Sequence, residues 1–98
     1  MYVRSAMDRR TGDTIDMELQ RQILEKIIER ASEIFQKEPS ELTEATQFVE
    51  DLQAKSVNYV QIIALLEDVF DVEINFMAFR RKKTFGEAAE FVAELCEE

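Results

Sequence analysis

Residues 51–63 read DLQAKSVNYVQII, and Ser56 stands where a polar stretch gives way to an apolar pattern. Its hydroxyl is the side chain in this chain best placed for covalent chemistry, and the rest of the composition limits what that chemistry is. The 98 residues include no histidine, so the usual base for a serine or cysteine nucleophile is missing. One neighbouring lysine, Lys55, is a weak basis for a Ser–Lys pair. A serine modified by another enzyme needs no internal base; it needs exposure, which a helix start offers. A phosphate placed there would also meet free N–H groups of the first helical turn. The competing reading is structural: a serine before an apolar helix caps it, accepting a hydrogen bond from a first-turn N–H. The local pattern alone favours the cap.

The elements that must hold Ser56 are helical. Ile15, Leu19, Ile23, Ile27, Ala31 and Ile34 recur at helical spacing, widened by Leu24, Ile28 and Phe35. They predict a first helix over 14–37, capped by Asp13 or Thr14 and stopped by Pro39, which restricts Glu38. Residues 39–55 keep no period, and that is long for a structureless loop in a small domain. Leu42, Phe48, Val49 and Leu52 are expected to pin it, with a short helical turn within it. From Ser56, the residues Val57, Val60, Ile63, Ala64 and Val69 form a stripe, flanked by Ile62, Leu65, Leu66 and Phe70. They predict a central helix from 57 to about 70. Phe76–Phe79 suggests a short turn or third helix. Thr84 with Glu87 reads as a capping box opening a last helix. Its buried stripe is Phe85, Ala88, Ala89, Val92 and Leu95, with Phe91 at the margin. The expected fold is all-α: a compact four-helix bundle with three substantial helices and one short one. Residues 14–98 form the domain and residues 1–13 a flexible N-terminal extension.

Charge narrows the partners. The net charge is −9, and residues 38–73 hold nine acids against Lys55 alone. Such a field disfavours nucleic acid and anionic lipid and favours proteins with basic patches. Arg80, Arg81, Lys82 and Lys83 form one dense basic run. It reads either as a solvated turn or as a group that pairs with acids of the same domain or touches an anionic arm or partner. The lone Cys96 allows no internal disulfide and no cysteine-based metal site. It is read as a small apolar residue near a helix end, and no metal site is expected. No run is long enough to enter a membrane as a span. The opening MYVRSAMDRRTG carries arginines without an apolar stretch, so no secretory leader is expected and a cytoplasmic location is.

At Asp51–Val57 the sequence resembles the acyl carrier proteins of the phosphopantetheine-dependent carrier superfamily. That family's pattern is an acid, Leu, Gly, an apolar residue, Asp, Ser and Leu, followed by a helix resembling ELVMALEEEFD. The matching residues here are Asp51, Leu52, Gln53, Ala54, Lys55, Ser56 and Val57, then QIIALLEDVFD over 61–71. Glu73 and Ile74 match the family's downstream EI, and Thr84 with Phe85 the start of its last helix. The match needs no gap from Asp51 to Phe91, and the resemblance covers about 14–95.

The resemblance implies a carrier rather than an enzyme. Ser56 would hold 4'-phosphopantetheine through a phosphodiester, installed by a phosphopantetheinyl transferase. The arm's thiol would carry an acyl group as a thioester between acyl-loading and acyl-accepting enzymes with basic patches. The carrier would act as a monomer. Glu67, Asp68 and Asp71 would be parts of the docking surface, although a merely solvated acidic face explains them too. Ile62, Leu66, Ile74 and Phe79 would line the acyl-binding interior. The sequence departs from the family at the motif itself. Lys55 replaces an acid, Gln53 a glycine and Val57 a leucine, while Asn58 and Gln61 occupy usually acidic positions. Lys82 falls where the family often has an apolar residue. These departures point to a specialised carrier for a lipid or secondary-metabolite pathway. The alternative is a carrier-like adaptor that binds partners without a prosthetic group.

Overall fold

The computed structural model describes residues 17–97; the proposed 1–13 extension, the Asp13 or Thr14 cap and Ile15 lie outside them. Four helices follow in order: α1 over Met17–Phe35, α2 over Ser56–Phe70, α3 over Phe76–Arg80 and α4 over Phe85–Cys96. A short 3₁₀ turn, Pro39–Glu41, opens the α1–α2 connection. The all-α bundle of three substantial helices and one short one is therefore the observed architecture.

Helix α1 buries Ile23, Ile27 and Ala31 on one stripe and packs against α4 and α2. Its solvent face carries the i,i+3 ion pairs Lys26–Glu29 (3.4 Å) and Arg30–Glu33 (2.8 Å), and a third between Arg21 and Glu18. Each contributes a few tenths of a kcal/mol at most. The helix stops at Gln36, which turns left-handed (φ 57°) so that the Lys37 N–H reaches the Ser32 carbonyl at 3.2 Å. Helix α2 stops the same way. Asp71 is left-handed (φ 54°), and Val72 N–H reaches the Glu67 carbonyl at 3.3 Å. These 6→1 bonds satisfy carbonyls that a helix end leaves open.

The expected stripe on α2 is corrected. The core side is Tyr59, Ile62, Ile63 and Leu66, while Val57 (59% exposed), Val60 (52%), Ala64 and Val69 face solvent. Apolar residues cover nearly the whole circumference of this helix, so periodicity alone leaves several faces equivalent. The packing of α1, α3 and the connecting loop decides among them. Val49 is corrected likewise: it is 59% exposed, while Leu42 and Phe48 are buried and Leu52 half-buried.

Phe48 is what makes the long loop part of the fold. Its ring lies 5.1 Å from Tyr59, 4.8 Å from Phe85 and 5.9 Å from Phe79, so one loop residue joins α2, α3 and α4. Burying a ring of this size contributes roughly 1.5–3 kcal/mol, and each aromatic pair adds about 0.5–1.5 kcal/mol. The loop backbone is also tied to the start of α4. Phe48 N–H donates to Lys83 O (3.0 Å), Phe85 N–H to Thr46 O (2.9 Å) and Gly86 N–H to Glu44 O (2.8 Å). A Cβ at Gly86 would sit 3.1 Å from that Glu44 oxygen, which accounts for the glycine. Thr84 caps α4 as expected, accepting from Glu87 N–H (3.1 Å). The Glu87 carboxylate reaches back to Lys83 N–H (2.9 Å), one residue earlier than the standard box.

Candidate functional site at the start of α2

Ser56 is the first residue of α2, and the expectation that it caps the helix is corrected: the cap position belongs to Lys55. Lysine has only donors on its side chain, so it cannot accept from the first turn. Asn58 supplies one half of the capping instead, its Oδ1 accepting from Lys55 N–H at 2.8 Å. The Lys55 carbonyl accepts from Asn58 N–H (2.9 Å) and Tyr59 N–H (3.2 Å). Ser56 itself is exposed, and its hydroxyl has no hydrogen-bond partner among the described residues. The N–H groups of Ser56 and Val57 have none either.

The preceding loop presents this corner rigidly. Asp51 accepts from Gln47 N–H through Oδ2 (2.8 Å), Gln53 N–H donates to Val49 O (2.9 Å), and Ala54 N–H donates to Phe48 O (2.9 Å). Gln53 is left-handed, at φ 54°. A non-glycine residue in that region costs on the order of 1 kcal/mol, and the position is the one where the resembling family has glycine.

Two other serines lie near enough in sequence to compare. The Ser32 hydroxyl donates to the Lys37 carbonyl at 2.6 Å and so helps close the end of α1. Ser40 is exposed but sits in the three-residue 3₁₀ turn, with no helix behind it to present free N–H groups. Among the described serines, Ser56 alone combines an unbonded, exposed hydroxyl with the start of a long helix, and that combination fits a phosphodiester.

The predicted docking acids differ in their surroundings. Asp68 and Asp71 are exposed, and Asp71 forms the left-handed end of α2. Glu67 is half-buried, and its Oε2 accepts from Ile74 N–H at 2.9 Å. With its carbonyl closing the helix end, Glu67 clamps the α2–α3 turn twice. The candidate pocket residues Ile62, Leu66, Ile74 and Phe79 all belong to one buried core cluster. A shallow cleft of about 400 Å³ lies beside Ser56, walled by Arg30, Glu33 and Ile34 of α1 and by Val57, Asn58 and Gln61 of α2. It reaches none of the four pocket candidates. Cys96, the last residue of α4, is half-buried, and burial pushes its thiol pKa up, with Glu97 adding to the shift. Among the described residues no cluster of His, Cys, Asp or Glu is disposed to hold a metal ion, and no helix is long and apolar enough to cross a membrane.

Sequence reasoning missed two parts of this site. One is Asn58, whose reciprocal bond makes up for a capless Lys55; its position two residues after the serine was the available sign. The other is the left-handed Gln53, which nothing in its own residue type indicates.

Among the described residues, Ser56 is the serine with a free, exposed hydroxyl at the start of a long helix, and comparison with known proteins shows which class of domain this bundle belongs to. A family model described as phosphopantetheine attachment site matches residues 25–92. The chain is 33% identical over 72 residues to the acyl carrier protein of Caulobacter vibrioides, covering 74% of this chain and 92% of that protein. It is 32% identical to the acyl carrier protein of Phenylobacterium zucineum over 72 residues, covering 74% and 91%. It is 34% identical to that of Lactobacillus johnsonii over 71 residues, covering 72% and 89%. The chain belongs to the phosphopantetheine-binding acyl carrier protein family. Its members are carriers rather than catalysts, and their prosthetic group is phosphopantetheine.

Proposed function

We propose that Ser56 carries a 4'-phosphopantetheine arm and that the protein delivers an acyl group between enzymes of a specialised lipid or secondary-metabolite pathway. The observation that supports this reading best is the exposed, unbonded Ser56 hydroxyl at the start of α2. In the attachment step Ser56 Oγ bonds to the pantetheine-side phosphorus of coenzyme A. The pyrophosphate bond breaks and adenosine 3',5'-bisphosphate leaves. The hydroxyl proton passes to a base of the transferase, because this chain has no histidine to take it. The attached phosphate lies against the free N–H groups of Ser56 and Val57, which favour an anion at a helix start. The arm's terminal thiol supplies the chemistry of a thioester. The chain's own part is to hold the arm at a fixed corner and to steer it. Asp68 and Asp71 attract basic patches on transferase and partner enzymes, and the domain works as a cytoplasmic monomer.

The test is intact mass after incubation of unmodified protein with coenzyme A and a panel of transferases. One phosphopantetheine should add to the wild type and to Ser32→Ala, and none to Ser56→Ala. Modification of Ser56→Ala would move the site to another serine. A second reading, an adaptor without an arm, rests on Lys55, whose cation stands where the family has an acid. It is the better one if no transferase modifies the protein and protein purified from its own cells carries no arm.

A further inference from the structure

On the Tyr59 side of α2, one helical turn from Ser56, a cleft of about 180 Å³ opens between residues 47–50 and 80–83. Its walls are tied together by the Phe48 N–H bond to the Lys83 carbonyl. Arg80, Arg81, Lys82 and Lys83 all line it, against the single carboxylate of Glu50. None of the four cations forms an ion pair among the described residues, where the ion pairs all lie on α1. That is unexpected in a chain with 21 acids. Two of the four are instead held by rings: Arg80 lies 5.8 Å from the Tyr59 centroid and Lys82 5.0 Å from that of Phe91. Four like charges around one concavity repel one another through solvent, and an anion entering it would relieve that repulsion.

A second observation points the same way. Tyr59 is 2% exposed and lines the cleft, yet its hydroxyl has no hydrogen-bond partner among the described residues. A buried tyrosine hydroxyl ordinarily has one, and leaving it unpaired costs about 1–3 kcal/mol. An oxyanion in the cleft would accept that hydrogen bond and meet the guanidinium forks at once. Gln47, on the same wall, offers an amide donor.

We propose that this cleft is an oxyanion-binding site, taking a phosphate or carboxylate group of a small molecule, with the 80–83 cations neutralising it and Tyr59 donating a hydrogen bond. The group comes either from a free anion or from the acidic end of a cargo on the Ser56 arm. The second source rests on the function proposed above; the site itself does not.

The site is tested on protein without an arm. Isotope-labelled protein is titrated with sodium pyrophosphate, against sodium chloride of matched ionic strength, while backbone amide shifts are followed by NMR. Pyrophosphate should give saturable shifts at 47–50, 59 and 80–83 and leave α1 unmoved. The double variant Arg81→Gln, Lys83→Gln alters exposed side chains without ring contacts and should bind roughly tenfold more weakly. Tyr59→Phe keeps the ring and removes the hydroxyl, and should bind about threefold more weakly with its folded spectrum retained. Equal shifts with chloride, or no saturation, overturn the site. Wild-type affinity in Tyr59→Phe overturns the role of the hydroxyl. A salt-sensitive dimer in place of pyrophosphate binding means that the cleft receives an acidic protein face, which also overturns the proposal. The source is read on armed protein loaded with a succinyl or a hexanoyl thioester. A cargo source predicts that succinyl alone shifts the 80–83 amides and competes with pyrophosphate. A free-anion source predicts equal pyrophosphate binding by both. Failure to load either thioester counts against the arm and leaves the titration of unarmed protein unaffected.

Discussion

The two halves of α2 are built for different work. Residues 56–64 contain no charge at all, and their outer face shows Ser56, Val57, Val60 and Ala64. Residues 65–73 hold Glu67, Asp68, Asp71 and Glu73. The first half leaves polar groups free, a hydroxyl and two N–H groups, where the proposed attachment would be made. The second half uses one of its acids to finish its own turn and leaves the others in water. The comparison teaches that an acid in such a pattern can hold a structural bond as well as a charge. Glu67 sits among the acids by sequence and in the α2–α3 turn by structure. Asp68 and Asp71 are the exposed acids at this end, and the steering proposed above rests on them.

The largest effect expected is at the front. Ser56→Ala should abolish arm attachment while changing stability by no more than about 0.5 kcal/mol, because the hydroxyl is exposed and bonds nothing. Intact mass and a thermal melt measure the two together. A melt lowered well beyond that would show that Ser56 holds the loop as well.

At the other end, Glu67→Ala should cost about 1–3 kcal/mol by leaving the Ile74 N–H without its acceptor. Glu67→Gln keeps an acceptor oxygen and should recover most of that loss. Denaturant unfolding of the two variants separates the clamp from the charge. If Glu67→Gln retains stability and also the wild-type association rate with a partner, Glu67 is a clamp alone. Asp68→Lys should then slow that association at low salt, and the difference should shrink as salt rises. Equal rates at low salt would place the steering surface elsewhere.

Smaller effects test the motif's departures. Gln53→Gly relieves a left-handed residue worth about 1 kcal/mol, and after allowance for the freer unfolded chain it should stabilise the fold by up to about 0.5 kcal/mol. Lys55→Asp places an acceptor at the cap of α2 and a negative charge at the helix start. It should add up to about 1 kcal/mol and raise the modification rate by a general transferase. An unchanged rate would remove charge at position 55 as the reason for a dedicated transferase. A loss of stability would show that an aspartate cannot adopt the extended cap conformation beside Asn58.

Helices α1 and α4 were legible because each keeps a 3.6-residue apolar period, and α2 because its apolar run is too long for a strand. Thr84 was legible as a cap because a small hydroxyl residue preceded an apolar run. Ser56 stood out by its place between a polar loop and the longest apolar stretch. The family resemblance rested on these same residues. Tertiary structure alone decided which side of α2 is core, since valine and isoleucine are equally apolar and only the packing of Phe48, α1 and α3 distinguishes them. It decided that Val49 faces water while Phe48, one residue earlier, joins three helices. It assigned the cap position to Lys55 and a bond to Glu67, both through backbone groups that side-chain types do not reveal. The basic run at 80–83 was plain in the sequence, but its shape was not. A concave surface forms there because a loop more than thirty residues away in the chain is hydrogen-bonded to Lys83, and such long-range contacts are set by the packed fold rather than by the local order of residues.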